Sequence, residues 1–147
     1  MEMVKKEIEE LHAGVVDWIN GTCERSGAVF DDIYAGHLDK AFVLVAPTGH
    51  RLSRDMVTNY IEGTHGSNPE FRIQISDIQV VFETNEMLAA HCLMWHKNAN
   101  QSANSNLGRN LSAVFVKDST MANGLKWVFA HESALPQEEM EAKAYNF

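Results

Sequence analysis

Phe71-Arg72-Ile73-Gln74-Ile75-Ser76-Asp77-Ile78-Gln79-Val80-Val81-Phe82 changes the side of its apolar residues part-way along. Phe71, Ile73 and Ile75 occupy odd positions, whereas Ile78, Val80 and Phe82 occupy even ones. Side chains alternate across a strand, so one residue must be inserted if the apolar face is to stay on the same side. The spacing predicts a bulge at Ser76-Asp77, and a bulge curves a sheet. Downstream, two more long strands are expected, about Met87 to His96 and Leu107 to Lys117, joined by the Asn/Ser-rich stretch from Asn98 to Asn106. A turn at Ala122-Asn123-Gly124 leads into a last strand, about Leu125 to Ser133, which Pro136 ends. The acidic tail from Gln137 is expected to be mobile or loosely helical.

Upstream the period is helical. Val4, Ile8, Leu11, Val15 and Trp18/Ile19 form one stripe, with Lys5, Lys6, Glu9 and Glu10 outside it, and Asn20-Gly21 supplies the stop. Ser26 is a candidate N-cap for a shorter helix carrying Val29, Phe30, Ile33 and Tyr34, stopped at Gly36. Ala41 to Ala46 reads as a short apolar strand ended by Pro47, and a third helix is expected from Ser53, with Met56, Val57, Tyr60 and Ile61 as its stripe. Helices first and long antiparallel strands afterwards make an α+β fold: a curved sheet wraps a helix and encloses an apolar cone. Residues 1–147 show no repeat and no linker, so one domain is expected.

The composition bounds the function classes. Twelve Lys and Arg against twenty Asp and Glu leave a net charge of −8, which disfavours a nucleic-acid partner. No apolar stretch approaches the roughly 18 residues of a membrane span, and Met1 to Glu7 has no apolar signal core, so a cytoplasmic protein away from membranes is expected. Cys23 and Cys92, far apart, indicate neither a disulfide framework nor a zinc site. No Gly-rich phosphate loop is present, so no nucleotide cofactor is expected.

The final hairpin, Leu111 to Asp118 followed by Asn123-Gly124-Leu125-Lys126-Trp127-Val128-Phe129-Ala130-His131-Glu132-Ser133, resembles the ending of NTF2-like proteins of the SnoaL-like, DUF4440 type. Val43 to Gly49 occupies the place of their first strand and turn. The resemblance implies the cystatin-like cone. It also implies a superfamily that includes ketosteroid isomerase, polyketide cyclases, a dehydratase and catalytically inert transport and kinase-association domains, so the fold alone decides no function. Where ketosteroid isomerase has its carboxylate base this chain has Ala46, and its second carboxylic acid would fall near Asn110. Steroid isomerisation by that constellation is disfavoured.

Following the family's strand parity, Val128, Ala130, Glu132 and Ala134 point into the cone, as do Asn110, Ser112, Val114 and Val116 and, on the neighbouring strand, Ala89, His91, Leu93 and Trp95. The expected site is therefore a mainly apolar pocket with His91, Asn110, Ser112 and Glu132 as polar groups, Trp95 beside them, and Trp18 or Tyr60 from the helices. His91 and Glu132 are candidates for proton transfer next to a carbonyl, with Asn110 or Ser112 stabilising the oxyanion, against the plainer alternative of a structural histidine. Arg109 is a candidate for holding a carboxylate, against a surface ion pair. Of seven histidines only His91 and His96 lie close, and five apart on a strand they face opposite sides, so no metal is expected. The Asn98 to Asn106 stretch could close over a ligand or serve as a plain connection. Two functions follow: a protein that binds or converts a small apolar carbonyl or ring compound, or a homodimeric association domain with a vestigial pocket. The dimer would form through the sheet face bearing Trp127, Phe129 and His131, since helices cover only one face of the sheet.

Overall fold

The computed structural model describes residues 1–99 and 107–142. Helix α1 (Glu2–Asn20) ends as the sequence requires, with Gly21 in the left-handed region at φ 79° and its amide bonded to the Asp17 and Trp18 carbonyls. Helix α2 (Gly27–Ile33) starts at Ser26, whose hydroxyl accepts from the Val29 amide, and a 3-10 turn (Ala35–His37) follows. Helix α3 (Arg54–Glu62) is capped by Ser53, which accepts from the Met56 amide. The strands are β1 (Leu38–Val45), β2 (Arg51–Ser53), β3 (Arg72–Glu83), β4 (Met87–Lys97), β5 (Leu107–Lys117) and β6 (Leu125–Ala134). The tail forms a short helix, α4 (Gln137–Ala142).

The six strands run in the order β2-β1-β6-β5-β4-β3, antiparallel except for the parallel pair β1 and β6. The expected bulge is present: Ser76 pairs with Leu93 and Gln79 with His91, so Asp77 and Ile78 together face Cys92, and Asp77 takes a positive φ of 54°. Ile73, Ile75, Ile78 and Val80 consequently all pack toward the core. The three residues of β2 were not expected. They are too few to show a period, and they pair with the end of β1 across the Pro47–Gly49 turn.

Helix α1 lies in the concave side. Its stripe of Val4, Ile8, Leu11, Val15 and Trp18 is buried against Leu88, Ala90 and Cys92 of β4, Leu111, Ala113 and Phe115 of β5, and Leu125, Trp127 and Ala130 of β6. Trp127 corrects the expected parity of the last strand. Val114 pairs with Phe129 and Phe115 with Trp127, so Val128 is an extra residue in β6. That bulge turns Trp127 inward, 2% exposed, while Phe129 and His131 remain on the convex side and Ala130 and Glu132 on the concave one. Trp127 therefore has no place in a convex-face interface.

The first half of α1 is tied down by a buried polar cluster. Glu7 is fully buried; its Oε2 accepts from His37 Nδ1 at 2.7 Å and Trp127 Nε1 at 3.3 Å, and its Oε1 lies 3.1 Å from the same His37 nitrogen. His37 Nε2 donates to the Asp32 carbonyl at 2.9 Å.

Candidate functional site

Beyond the second half of α1 the cone is open. A cavity of about 420 Å³ lies between the sheet, α1 and α3. Leu11, Val15 and Ile19 of α1, Val57 and Ile61 of α3, Phe42 and Leu44 of β1, and Leu111 and Ala130 of the central strands give it apolar walls. Ala46, at the position where ketosteroid isomerase would need a carboxylate, contributes a methyl group.

Among the polar side chains of the described lining, Tyr60, Thr64, Ser67 and Asn68 stand beside His12, Tyr34, His96, Arg109 and Glu132, and the last five carry the electrostatics of the cavity. Arg109 and Glu132 lie diagonally across β5 and β6, and Arg109 Nη1 donates to Glu132 Oε1 at 2.9 Å, each side chain 13% exposed. His12 Nδ1 lies 2.7 Å from the Ile8 carbonyl. A carbonyl only accepts, so this nitrogen carries the proton and Nε2 of the neutral ring keeps a lone pair. Burial pushes the His12 imidazole below its ordinary pKa, against the opposing pull of the Ile8 carbonyl and of the Glu132 and Glu7 charges. Burial, with the charges of Arg109 and His12 adding, lowers His96 to about 3. Burial and the Glu132 charge raise the Tyr34 phenol well above its ordinary value. At neutral pH the described lining thus includes two neutral imidazoles, the neutral Tyr34 phenol and the compensated Arg109–Glu132 pair.

Of the residues expected from sequence, Glu132, Arg109 and Tyr60 line the cavity. The others do not. On β4 the core positions are the even ones, Leu88, Ala90, Cys92 and Met94, with His96 next in the same series facing the cavity. His91 consequently lies on the convex side, where its Nε2 donates to Asn110 Oδ1 at 3.1 Å. On β5 the core positions are odd, Leu111, Ala113 and Phe115, so Asn110 and Ser112 are convex too. Trp95 packs over Gly108 on that side; a methyl group at Gly108 would come within 2.3 Å of its ring. The structure sets both strands one residue away from the family-based register, and one residue exchanges the faces. Trp18 is a core residue, 1% exposed, that donates from Nε1 to the Ile61 and Glu62 carbonyls at the end of α3. No His91–Glu132 pair forms, because the sheet lies between them. Of the Asn98 to Asn106 stretch, Asn98 and Ala99 are described, and Ala99 lines the cavity; residues 100–106 lie outside the described residues.

His12, Tyr34 and His96 were missed as site residues. For His12 a signal existed: it falls within the apolar series Ile8, His12, Val15, Ile19. Among the described residues no three His, Cys, Asp or Glu side chains are grouped to hold a metal ion.

No protein-family model matches the sequence, and no curated protein matches it. Structural comparison is decisive instead. An NTF-2 like protein of unknown function from Pseudomonas aeruginosa superposes with a TM-score of 0.78, covering 91% of this chain and 99% of that one at 18% identity. The fold is NTF2-like. An uncharacterized protein with a cystatin-like fold from Caulobacter vibrioides gives 0.66 over 95% of this chain and 92% of that one at 10% identity. The CaMKII hub of S. rosetta gives 0.65 over 91% and 92% at 16% identity. At these identities the NTF2-like likeness carries the architecture and leaves the chemistry to the residues of the cone.

Proposed function

We propose that the protein binds a small, neutral, mainly apolar ring compound in its cone. The observation that carries this reading is the charge state of the cavity: its one arginine is already paired with Glu132, and its histidines are held neutral by burial. A carboxylate ligand would have to break the Arg109–Glu132 pair, whereas an apolar ring meets the lining as it stands. The finer affiliation with SnoaL-like, DUF4440-type proteins belongs to this reading and rests on the Asn123–Ser133 segment. His91 has no part in it. The test is a thermal-shift screen of neutral ring compounds against carboxylates of the same skeleton. Neutral compounds should raise the melting temperature of the native chain and not of Leu44→Trp, which fills the cavity. Stabilisation by carboxylates alone, or stabilisation unchanged by Leu44→Trp, would overturn it.

A second reading, compatible with the first, is self-association through the convex face of the sheet. It is favoured by Val43, Val45, Leu93, Val114 and Phe129, which remain partly exposed there while α1 and α3 pack on the other side. The likeness to a CaMKII hub supports it at the level of fold. Light scattering should give twice the 16.5 kDa chain mass, and Phe129→Glu should return it to one. A native mass of one chain at micromolar concentration would remove this reading.

A further inference from the structure

We infer that the cavity recognises its ligand by a hydroxyl group, which donates its proton to His12 Nε2. This deepens the binding reading above and rests on it. The tautomer is fixed by α1 itself, since Nδ1 is committed to the Ile8 carbonyl one turn earlier at 2.7 Å. Nε2 makes no hydrogen bond among the described residues, yet no buried side-chain nitrogen or oxygen among them lacks a partner. The atom therefore retains open surface, and the His12 side chain is one of those that line the cavity.

A second acceptor lies in the same lining: Arg109 occupies Glu132 Oε1, and Oε2 accepts no bond among the described residues. Donors are present as well, in the Tyr34 hydroxyl and the remaining N–H groups of Arg109. A ketone or an ether can only accept, so it can meet these donors and leaves the His12 lone pair unpaired. A carboxylate does the same and adds a charge. A hydroxyl donates one hydrogen bond and accepts others, so it alone among these groups satisfies both kinds of partner. A site built around such a bond rejects analogues that lack the donor, because the buried acceptor is then left unpaired.

The experiment compares 4-propylphenol, 4-propylanisole and 4-propylbenzoate by calorimetry on the native chain and on His12→Phe, with the His12 ring nitrogens followed by long-range proton–nitrogen NMR. The phenol should bind the native chain about ten-fold or more tighter than the anisole, and His12→Phe should bring the two within about two-fold. The phenol alone should shift the Nε2 resonance, a readout that holds even if His12→Phe does not fold. Equal affinities for phenol and anisole, tightest binding of the benzoate, or an unmoved Nε2 resonance would overturn the inference while leaving cavity binding intact. If none of the three probes binds, the cavity reading falls with it.

Discussion

The two halves of α1 carry the same chemical ingredients to opposite ends. In the first half, Glu7 is paired with a histidine and a tryptophan. Its oxygens take bonds from His37 and Trp127, and His37 spends its second nitrogen on the Asp32 carbonyl. Both partners of His37 are acceptors, so the ring carries a proton on each nitrogen, and the hydrogen bond it donates to Glu7 raises its pKa against the cost of burial. Past the midpoint of the helix, Arg109, Glu132 and His12 are also buried in an apolar shell, but with bonds unspent: Nε2 of His12 and Oε2 of Glu132 accept nothing among the described residues. Burial of charge is thus common to both ends. What separates structure from site is whether the polar valences are used up, because unspent valences beside a cavity are available to a ligand and spent ones are not.

The largest test of this contrast is Glu7→Leu. It removes the acceptor of two buried donors and the counter-charge of His37, and should cost about 3–5 kcal/mol in urea unfolding. Gly108→Ala probes the outer wall of the open end. The new methyl group would collide with the Trp95 ring, and a loss of about 1–3 kcal/mol is expected in the same measurement. Histidine titration should act in opposite directions at the two ends. The folded His37 holds its proton more tightly than in the unfolded chain, so its stabilisation is complete below about pH 6.5 and is lost as pH rises through the elevated folded value. His96 is the converse: the unfolded ring takes up a proton near pH 6.5 that the fold refuses down to about 3. Stability should therefore fall on acidification by up to about 1.4 kcal/mol per pH unit. Urea midpoints from pH 4.5 to 9 should lose the alkaline decline in His37→Phe and part of the acid decline in His96→Phe, the remainder being carried by His12, whose pKa burial also lowers. The smallest effect is expected for Glu132→Gln, about 1 kcal/mol, since the amide oxygen still accepts from Arg109 and the cavity leaves the guanidinium room to find other partners. A cost as large as that of Glu7→Leu would mean that the open end is as structural as the closed one.

The architecture was largely legible because its determinants are local. The α1 stripe and its Gly21 stop, the Ser26 and Ser53 caps, and the parity change across Ser76-Asp77 each lie within a few residues of what they control. The site was less legible because face assignment sums over a whole strand. A single extra residue at Val128 places both Trp127 and Ala130 inside, which strict alternation forbids, and a one-residue offset sent His91, Asn110, Ser112 and Trp95 to the wrong side. Glu132, expected from parity, Arg109, expected from charge, and Tyr60, expected from the α3 stripe, line the cavity. Tyr34 became a site residue through the 3-10 turn that carries the chain into β1, a feature with no periodic signature.

The bond between Glu7 and Trp127 joins residues 120 positions apart, and the parallel partner of β1 is likewise the last strand. A chain leaving the ribosome therefore exhibits its amphipathic first helix long before the surface that covers it has been synthesised. Loop closure over this span has to precede the gain from the contact, which slows folding relative to a bundle of neighbouring helices. Release of β6 is the step that completes the core, and until then the α1 stripe lacks the part of its cover that Leu125, Trp127 and Ala130 supply.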